Sequence, residues 1–155
     1  YSFQSMRVLI QRVTYASVVI EGVEEARIGP GLLVLLGIET EDGPEDVQWL
    51  CQKTAALRIF SDEAGLMNKS VQEIAGEIMV ISQFTLFAST KKGNRPSFLR
   101  SARPDAAIPL YESFVKTLAD LSGCRVCTGT FGADMKVSLL NDGPVSIWID
   151  SKNKE

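Results

Sequence analysis

The sequence predicts a single α+β domain, mixed α/β in its connectivity, in which mainly antiparallel sheets pack with two principal helices on one side. Three observations carry this reading. Segments rich in β-branched and apolar residues gather toward both ends of the chain, two stretches of helical spacing lie between them, and several links have only hairpin length. A length of 155 residues sets a prior of about one domain.

Taken in order, residues 1–5 precede Met6 and share no pattern with the rest of the chain. They are expected to be an expression remnant, with the native start at Met6 and one domain over 6–155. Residues 7–14 (RVLIQRVT) and 16–21 (ASVVIE) predict two strands, closed by a turn beginning at Glu21 and Gly22. Gly29, Pro30 and Gly31 make another turn, and residues 32–38 lack polar alternation, which predicts a short strand buried on both faces. Asp42, Gly43 and Pro44 break the chain; Val47, Leu50, Cys51, Thr54 and Leu57 then recur with the spacing of an amphipathic helix. Residues 61–68 (SDEAGLMN) read as a turn-rich connection and 77–83 (EIMVISQ) as a strand. Leu110, Phe114, Leu118 and Leu121 keep helical spacing across 104–122, with Pro109 tolerable if the continuous helix starts there. Residues 136–140 (KVSLL) and 145–149 (VSIWI) predict two last strands separated by Asn141, Asp142, Gly143 and Pro144, and no internal repeat is visible.

Composition removes several function classes. With 45% hydrophobic and 23% charged residues the chain falls in the soluble globular range. Its longest apolar stretch, residues 31–38, is far shorter than the roughly 20 residues that span a bilayer, and nothing upstream resembles a signal peptide, so a cytoplasmic protein without a membrane role is expected. The chain contains no histidine. This excludes Ser-His and Cys-His nucleophile pairs and His-ligated metal centres, and removes the side chain whose ordinary pKa lies nearest 7. Cys51, Cys124 and Cys127 are too few for a disulfide framework. The C-x-x-C spacing of Cys124 and Cys127 suits a redox pair or half a zinc site, but no second such motif completes a site, and two small residues entering a strand is the simpler reading. No metal and no cofactor is expected.

Net charge is −3, which argues against nonspecific nucleic-acid binding over the whole surface. Residues 91–103 are nevertheless locally basic, with Lys91, Lys92, Arg95, Arg100 and Arg103 and no acid. Such a run meets phosphates or is simply solvated surface. Two further segments carry polar chemistry. Ser82, Gln83, Phe84, Thr85 and Leu86 (SQFTL) put three polar side chains directly after an apolar strand, where they either form a site or satisfy a strand end. In Asn141 to Ser146 (NDGPVS), Gly143-Pro144 reads as a turn, and X-Pro is also the one common setting for a cis peptide.

Together with MRVLIQRV at 6–13, IGPGLLVLLGIE at 28–39, RIFSDEAGLMN at 58–68 and KKGNRPSF at 91–98, these two motifs resemble the D-aminoacyl-tRNA deacylases, in order from Met6 to about Asp150. The resemblance implies that family's fold and a homodimer that hydrolyses the ester joining a D-amino acid to the 3′ end of tRNA. It implies a cis Gly143-Pro144 bond, with this dipeptide of one subunit entering the site of the other as a chiral gate. Ser82, Gln83, Phe84 and Thr85 then build the pocket around the ester and adenosine, with the basic run as the tRNA contact. Family likeness also favours backbone N–H groups near Phe84 and Thr85 as oxyanion donors, helped by the substrate's ribose 2′-hydroxyl. Since no evident base activates Thr85, its first role is positioning and its second a covalent one. Arg12 is expected to brace the Gly-Pro segment or to be a surface arginine, and Phe131 and Met135 to line the pocket or to pack in the core. Ser146 departs from the Thr common after Gly-Pro-Val but keeps a hydroxyl. The Gln of SQFTL and the Gly before Pro144 favour the D-specific branch over related editing deacylases for mischarged tRNA. A noncatalytic nucleic-acid-binding dimer and a Cys124/Cys127 redox protein are the competing readings.

Overall fold

The computed structural model describes residues 6–155, so the expected remnant at 1–5 lies outside the described residues. Ten regular elements occur in chain order: β1 (Arg7–Ile20), β2 (Val23–Ile28), β3 (Gly31–Gly37), α1 (Pro44–Ala56), β4 (Phe60–Ser61), β5 (Met67–Lys69), β6 (Glu77–Ser82), α2 (Pro104–Ser122), β7 (Val126–Thr128) and β8 (Lys136–Asp150). A short 3-10 helix, Phe84–Phe87, comes after β6. The mixed α+β class with two helices stands.

The main sheet runs β2-β1-β3-β6-β7, with β8 paired to β1. β1 organises it. Along one edge it pairs antiparallel with β3, from Arg7 opposite Gly37 to Val13 opposite Gly31, and then with β2, from Ala16 to Ile20. Along the other it pairs with β8, from Arg7 opposite Asp150 to Val19 opposite Lys136. The two strands expected at 7–14 and 16–21 are therefore one, because apolar partners line β1 on both sides of Tyr15.

Pairing is mainly antiparallel, through β1 with β2, β3 and β8, while β3 with β6 and β6 with β7 add two parallel pairs. The helices explain this, since α1 lies in the connection from β3 to β6 and α2 in that from β6 to β7, and parallel neighbours need such long crossovers. α2 spans the 104–122 that its spacing predicts, but the continuous helix does not wait for Pro109: it starts at Pro104 and carries Pro109 inside. The missing N–H falls on the early, solvent-facing part of the helix, where a carbonyl left without its donor can be hydrated. The connection at 61–68 also holds a small ladder, with Phe60 opposite Lys69 and Ser61 opposite Met67.

Alternation along β3 and β6 divides the interior. Leu32, Val34, Leu36, Ile78 and Val80 join Val47, Leu50 and Cys51 of α1 and Ala107, Tyr111, Phe114 and Leu118 of α2 in one core. Leu33, Met79 and Ile81 face the other way, toward Val13, Ala16, Val18 and Ile28. β3 is thus buried on both faces, as its unbroken apolar run requires. The same geometry brings the C-terminal ends of β3 and β6 side by side, and the polar motif after β6 leaves the sheet there.

Candidate active site

Ser82 ends β6, and the Gln83 amide donates to the Leu36 carbonyl at 2.8 Å, the last link to the β3 side of the sheet. The chain then tightens into the 3-10 helix, where Leu86 N donates to Gln83 O (3.3 Å) and Ala88 N to Thr85 O (3.2 Å). The amides of Phe84 and Thr85 come before the first donor of that helix, so the helix itself supplies them no acceptor. The Phe84 ring is 57% exposed and meets Phe98 edge-on, with centroids 5.1 Å apart. Its carbonyl accepts a 2.8 Å hydrogen bond from the Ser101 hydroxyl. The Gln83 side-chain amide donates to the Thr85 hydroxyl.

This turn forms one wall of a pocket of about 240 Å³. Ser82, Gln83, Phe84, Phe131 and Met135, all expected at a site, come together in its lining. Leu36, Ile38 and Ile81 make the apolar floor, so a ligand there meets a few polar groups against a largely hydrophobic surface. Thr85 is exposed and stands beside the wall through Gln83 rather than in it. Phe131 and Met135 serve both of their expected uses: each lines the pocket, while Phe131 packs on Tyr111 (5.8 Å between centroids) and Met135 on the second core. Gly132, Ala133 and Asp134 also line it, and the sequence alone does not mark them. Asp134 pairs with Lys136 at 3.1 Å, and an exposed acid in a short loop carries no signal that marks it as pocket wall. The Tyr111 hydroxyl donates to the Val80 carbonyl, and burial pushes its phenol up to about 12, so it holds its proton at neutral pH.

The Gly-Pro motif is placed differently from the turn expected. β8 continues through it. Register along β1 passes from Gln11 opposite Ser146 to Val13 opposite Asn141, which leaves residues 142–145 as an excursion opposite Arg12 alone. The two segments expected as separate strands are one strand because both return to the same neighbour. Val145 N donates to Asn141 Oδ1 (2.7 Å), and the Asn141 amide donates to Ser146 Oγ (3.2 Å), closing the base of the excursion. Arg12 spans it from beneath: Nε donates to the Asp142 carbonyl and Nη1 to the Ile59 carbonyl, each at 2.7 Å. The Gly143-Pro144 peptide is cis. Gly143 has φ +143°, and a Cβ there would lie 2.7 Å from Val145 Cγ2 and 3.1 Å from Arg12 Nη2, so both backbone and space require glycine. Gly143 and Pro144 are exposed and do not line the pocket of their own chain.

The basic run folds into a loop pinched by paired hydrogen bonds between Ser89 and Ser97 (2.8 and 2.9 Å). Lys91, Lys92, Arg95 and Arg100 line one groove of it, whereas Arg103 sits apart as the N-cap of α2. Arg100 differs from the others. Its Nε is 2.8 Å from Oε1 of the buried Glu39, and its guanidinium lies 5.4 Å from the Phe87 ring, so its charge is already countered at the loop's base.

Cys124 and Cys127 are free and pack against different cores, Cys124 with the helices and Cys127 with the second cluster. Burial raises the Cys127 thiol, the opposite of what a reactive thiolate needs. Among the described residues no group of His, Cys, Asp and Glu is placed to hold a metal ion. No helix among them is long and apolar enough to cross a membrane.

The family model described as D-Tyr-tRNA(Tyr) deacylase matches residues 9–150. Proteins named D-aminoacyl-tRNA deacylase from Bacteroides thetaiotaomicron and Parabacteroides distasonis are each 61% identical over 150 residues, covering 97% of this chain and 100% of theirs. Among solved structures, one described as a c-Myc DNA unwinding element binding protein superposes with a TM-score of 0.86 at 39% identity, covering 92% of this chain and 97% of the other. A probable eukaryotic D-amino acid tRNA deacylase shares the fold with a TM-score of 0.80 at 19% identity, covering 94% and 99%. From within β1 to the end of β8, through both the pocket turn and the Gly-Pro excursion, this chain belongs to the D-Tyr-tRNA(Tyr) deacylase family.

Proposed function

We propose that this chain hydrolyses the ester between a D-amino acid, or glycine, and the 3′ end of tRNA, with the acylated adenosine held in the pocket beside residues 82–85. The observation that carries the reading is the joint one. The polar turn lines an apolar pocket, while Gly143 and Pro144, held by Arg12 and Asn141, stand exposed on the same chain outside that pocket. A gate that acts across two subunits needs this separation. The working form is then a homodimer in the cytoplasm, each subunit offering its Gly-Pro excursion to the other's pocket.

The chemistry requires little of the protein's side chains. An aminoacyl ester is already activated, so placing water and stabilising the developing oxyanion can supply much of the acceleration. The amides of Phe84 and Thr85 are the candidate oxyanion donors, and the substrate's 2′-hydroxyl helps to activate water. Thr85 is held by Gln83, and among the described residues no base is hydrogen-bonded to its hydroxyl, which supports positioning rather than nucleophilic attack. The carbonyls of Gly143 and Pro144 receive the substrate's amino group and leave room only for hydrogen on the chiral carbon. An L side chain is rejected by collision, and glycine is not. Lys91, Lys92 and Arg95 meet tRNA phosphates, with Arg100 and Arg103 at the margin.

A second reading is favoured by one observation: a 39% identical structure is described by its DNA binding. Under a binding-only reading the pocket and gate have no task. Complementation separates the readings. A Gly143 variant and a Gln83→Ala,Thr85→Ala variant, each inactive alone, are mixed after denaturation and refolding. Recovery of up to about one site per hybrid dimer supports the cross-subunit enzyme; no recovery, with both proteins dimeric and folded, contradicts it.

A further inference from the structure

The segment RIFSDEAGLMN at 58–68 has no place in the site described above, yet it contacts the arginine that braces the Gly-Pro excursion. Arg12 Nη1 donates to the carbonyl of Ile59, which immediately precedes β4. β4 and β5 pair through only two residue positions with a register shift between them, and a two-stranded ladder of this size is marginal by itself. Side chains supply what the ladder lacks. Arg58 Nε donates to the Asn68 carbonyl at 2.9 Å, and its guanidinium also reaches the Asn68 side-chain oxygen. Asp62 Oδ1 accepts the amides of Ala64 and Leu66, both at 2.9 Å, while Asp62 Oδ2 accepts from the Asn68 amide at 3.2 Å. These backbone donors, Leu66 foremost, hold the Asp62 carboxyl below the usual range, so it stays ionised at neutral pH. Arg58 and Asn68 thus lock the hairpin at its open end, next to the carbonyl on which Arg12 rests, and Asp62 ties Asn68 to the turn at the closed end.

We propose that Arg58, Asp62 and Asn68 are positioning residues for chiral selection: they fix the β4-β5 hairpin, whose Ile59 carbonyl holds Arg12, which in turn holds residues 142–145 in place. The proposal rests on the gate reading above. It reaches the gate through two 2.7 Å hydrogen bonds of one guanidinium, and no contact from the hairpin to the pocket is needed. Ile59 itself is buried in the helix-side core, so the competing account is that packing alone fixes its carbonyl.

The test uses Arg58→Ala, Asn68→Ala and Arg58→Lys in the full-length protein, all at side chains exposed enough to be changed without opening the core. Two quantities are read: hydrogen exchange of the peptide covering 141–146, where Val145 N–H is the reporter, and the ratio of deacylation rates on D-Tyr-tRNA and L-Tyr-tRNA. The proposal predicts exchange about tenfold faster in both alanine variants, the factor expected for losing roughly one net hydrogen bond, with partial recovery in Arg58→Lys. It predicts a fall of similar size in the D-to-L ratio. Unchanged exchange at 141–146 overturns the brace and leaves packing as the support of Ile59. Faster exchange with an unchanged ratio upholds the brace and removes the gate reading instead.

Discussion

Replacing Gly143 by alanine tests the excursion at its tightest point. The backbone there has φ +143°, a region that side-chain-bearing residues rarely enter, and the added Cβ would sit 2.7 Å from Val145 Cγ2, 3.0 Å from Val145 N and 3.1 Å from Arg12 Nη2. A backbone held in such a region costs about 1–3 kcal/mol. The Val145 amide that the Cβ approaches is the one bonded to Asn141, and the Arg12 nitrogen belongs to the brace, so the chain cannot yield in either direction without giving up a hydrogen bond. For a domain of this size each kcal/mol lowers the melting temperature by about 2–4 °C, which gives a fall of roughly 2–12 °C. Thermal melting reads the stability, and parallel release from D-Tyr-tRNA and L-Tyr-tRNA reads the selectivity, which should fall along with activity on the D-ester. A Gly143→Ala protein that melts with wild type and keeps its D-to-L ratio would show that the excursion is neither tight nor selective, and would refute the reasoning.

Other outcomes rest on the same contacts. A Cβ at Gly129 would run into the Met135 sulfur, the flexible tip of a pocket wall, so Gly129→Ala should displace that tip and raise KM for the D-ester while the fold survives. Steady-state kinetics with a melting control checks this. Lys91→Ala, Lys92→Ala and Arg95→Ala should each reduce the slope of log affinity for tRNA against log salt by about 0.7–0.9 if each meets one phosphate, whereas Arg100→Gln, already countered by Glu39, should change it less. Asp42 provides a pH test. Burial is the main reason its carboxyl is pushed up to about 7 from 3.8, with the nearby acids Asp46 and Glu39 adding to it and the Glu39 amide opposing it. The folded state therefore binds this proton more tightly than the unfolded chain does, and its contribution is full below about pH 4 and is lost as pH rises to 7. Asp42→Asn should flatten the decline in stability over that window in denaturant titrations. Asp46, lowered chiefly by Lys152 and Ser151 against its own burial, acts in the opposite sense and only below its ordinary range.

Much of this molecule was legible in its residues, and the parts that were not share a cause. The β3 run, α1 and α2 could be read because an apolar run or helical spacing is a local pattern that does not depend on the neighbour. Residues 82–84, Phe131 and Met135 were singled out and do meet in one pocket, with Thr85 beside it. The Gly-Pro segment reads as a turn in sequence because those residues do bend the chain. Only pairing shows that both flanks of β8 return to the same strand, so that the bend is an excursion. β2 carries little sequence signal because its Glu24, Glu25 and Arg27 face solvent on an edge and leave little apolar alternation. The parallel pairs were hidden for a related reason. A helix between two strands is visible in sequence, but whether it serves as a crossover depends on where the second strand docks. Asp134 had no signal at all, since it reaches the pocket only through the fold of a loop that its own residues do not dictate.

The most direct measurement is amino acid release from purified D-Tyr-tRNA and L-Tyr-tRNA in parallel, with and without this protein, at one salt concentration. The account predicts rapid release from the D-ester, near-background release from the L-ester, and release from Gly-tRNA as well. Equal release from D and L would remove the gate and leave an esterase, and release from neither would contradict the central claim.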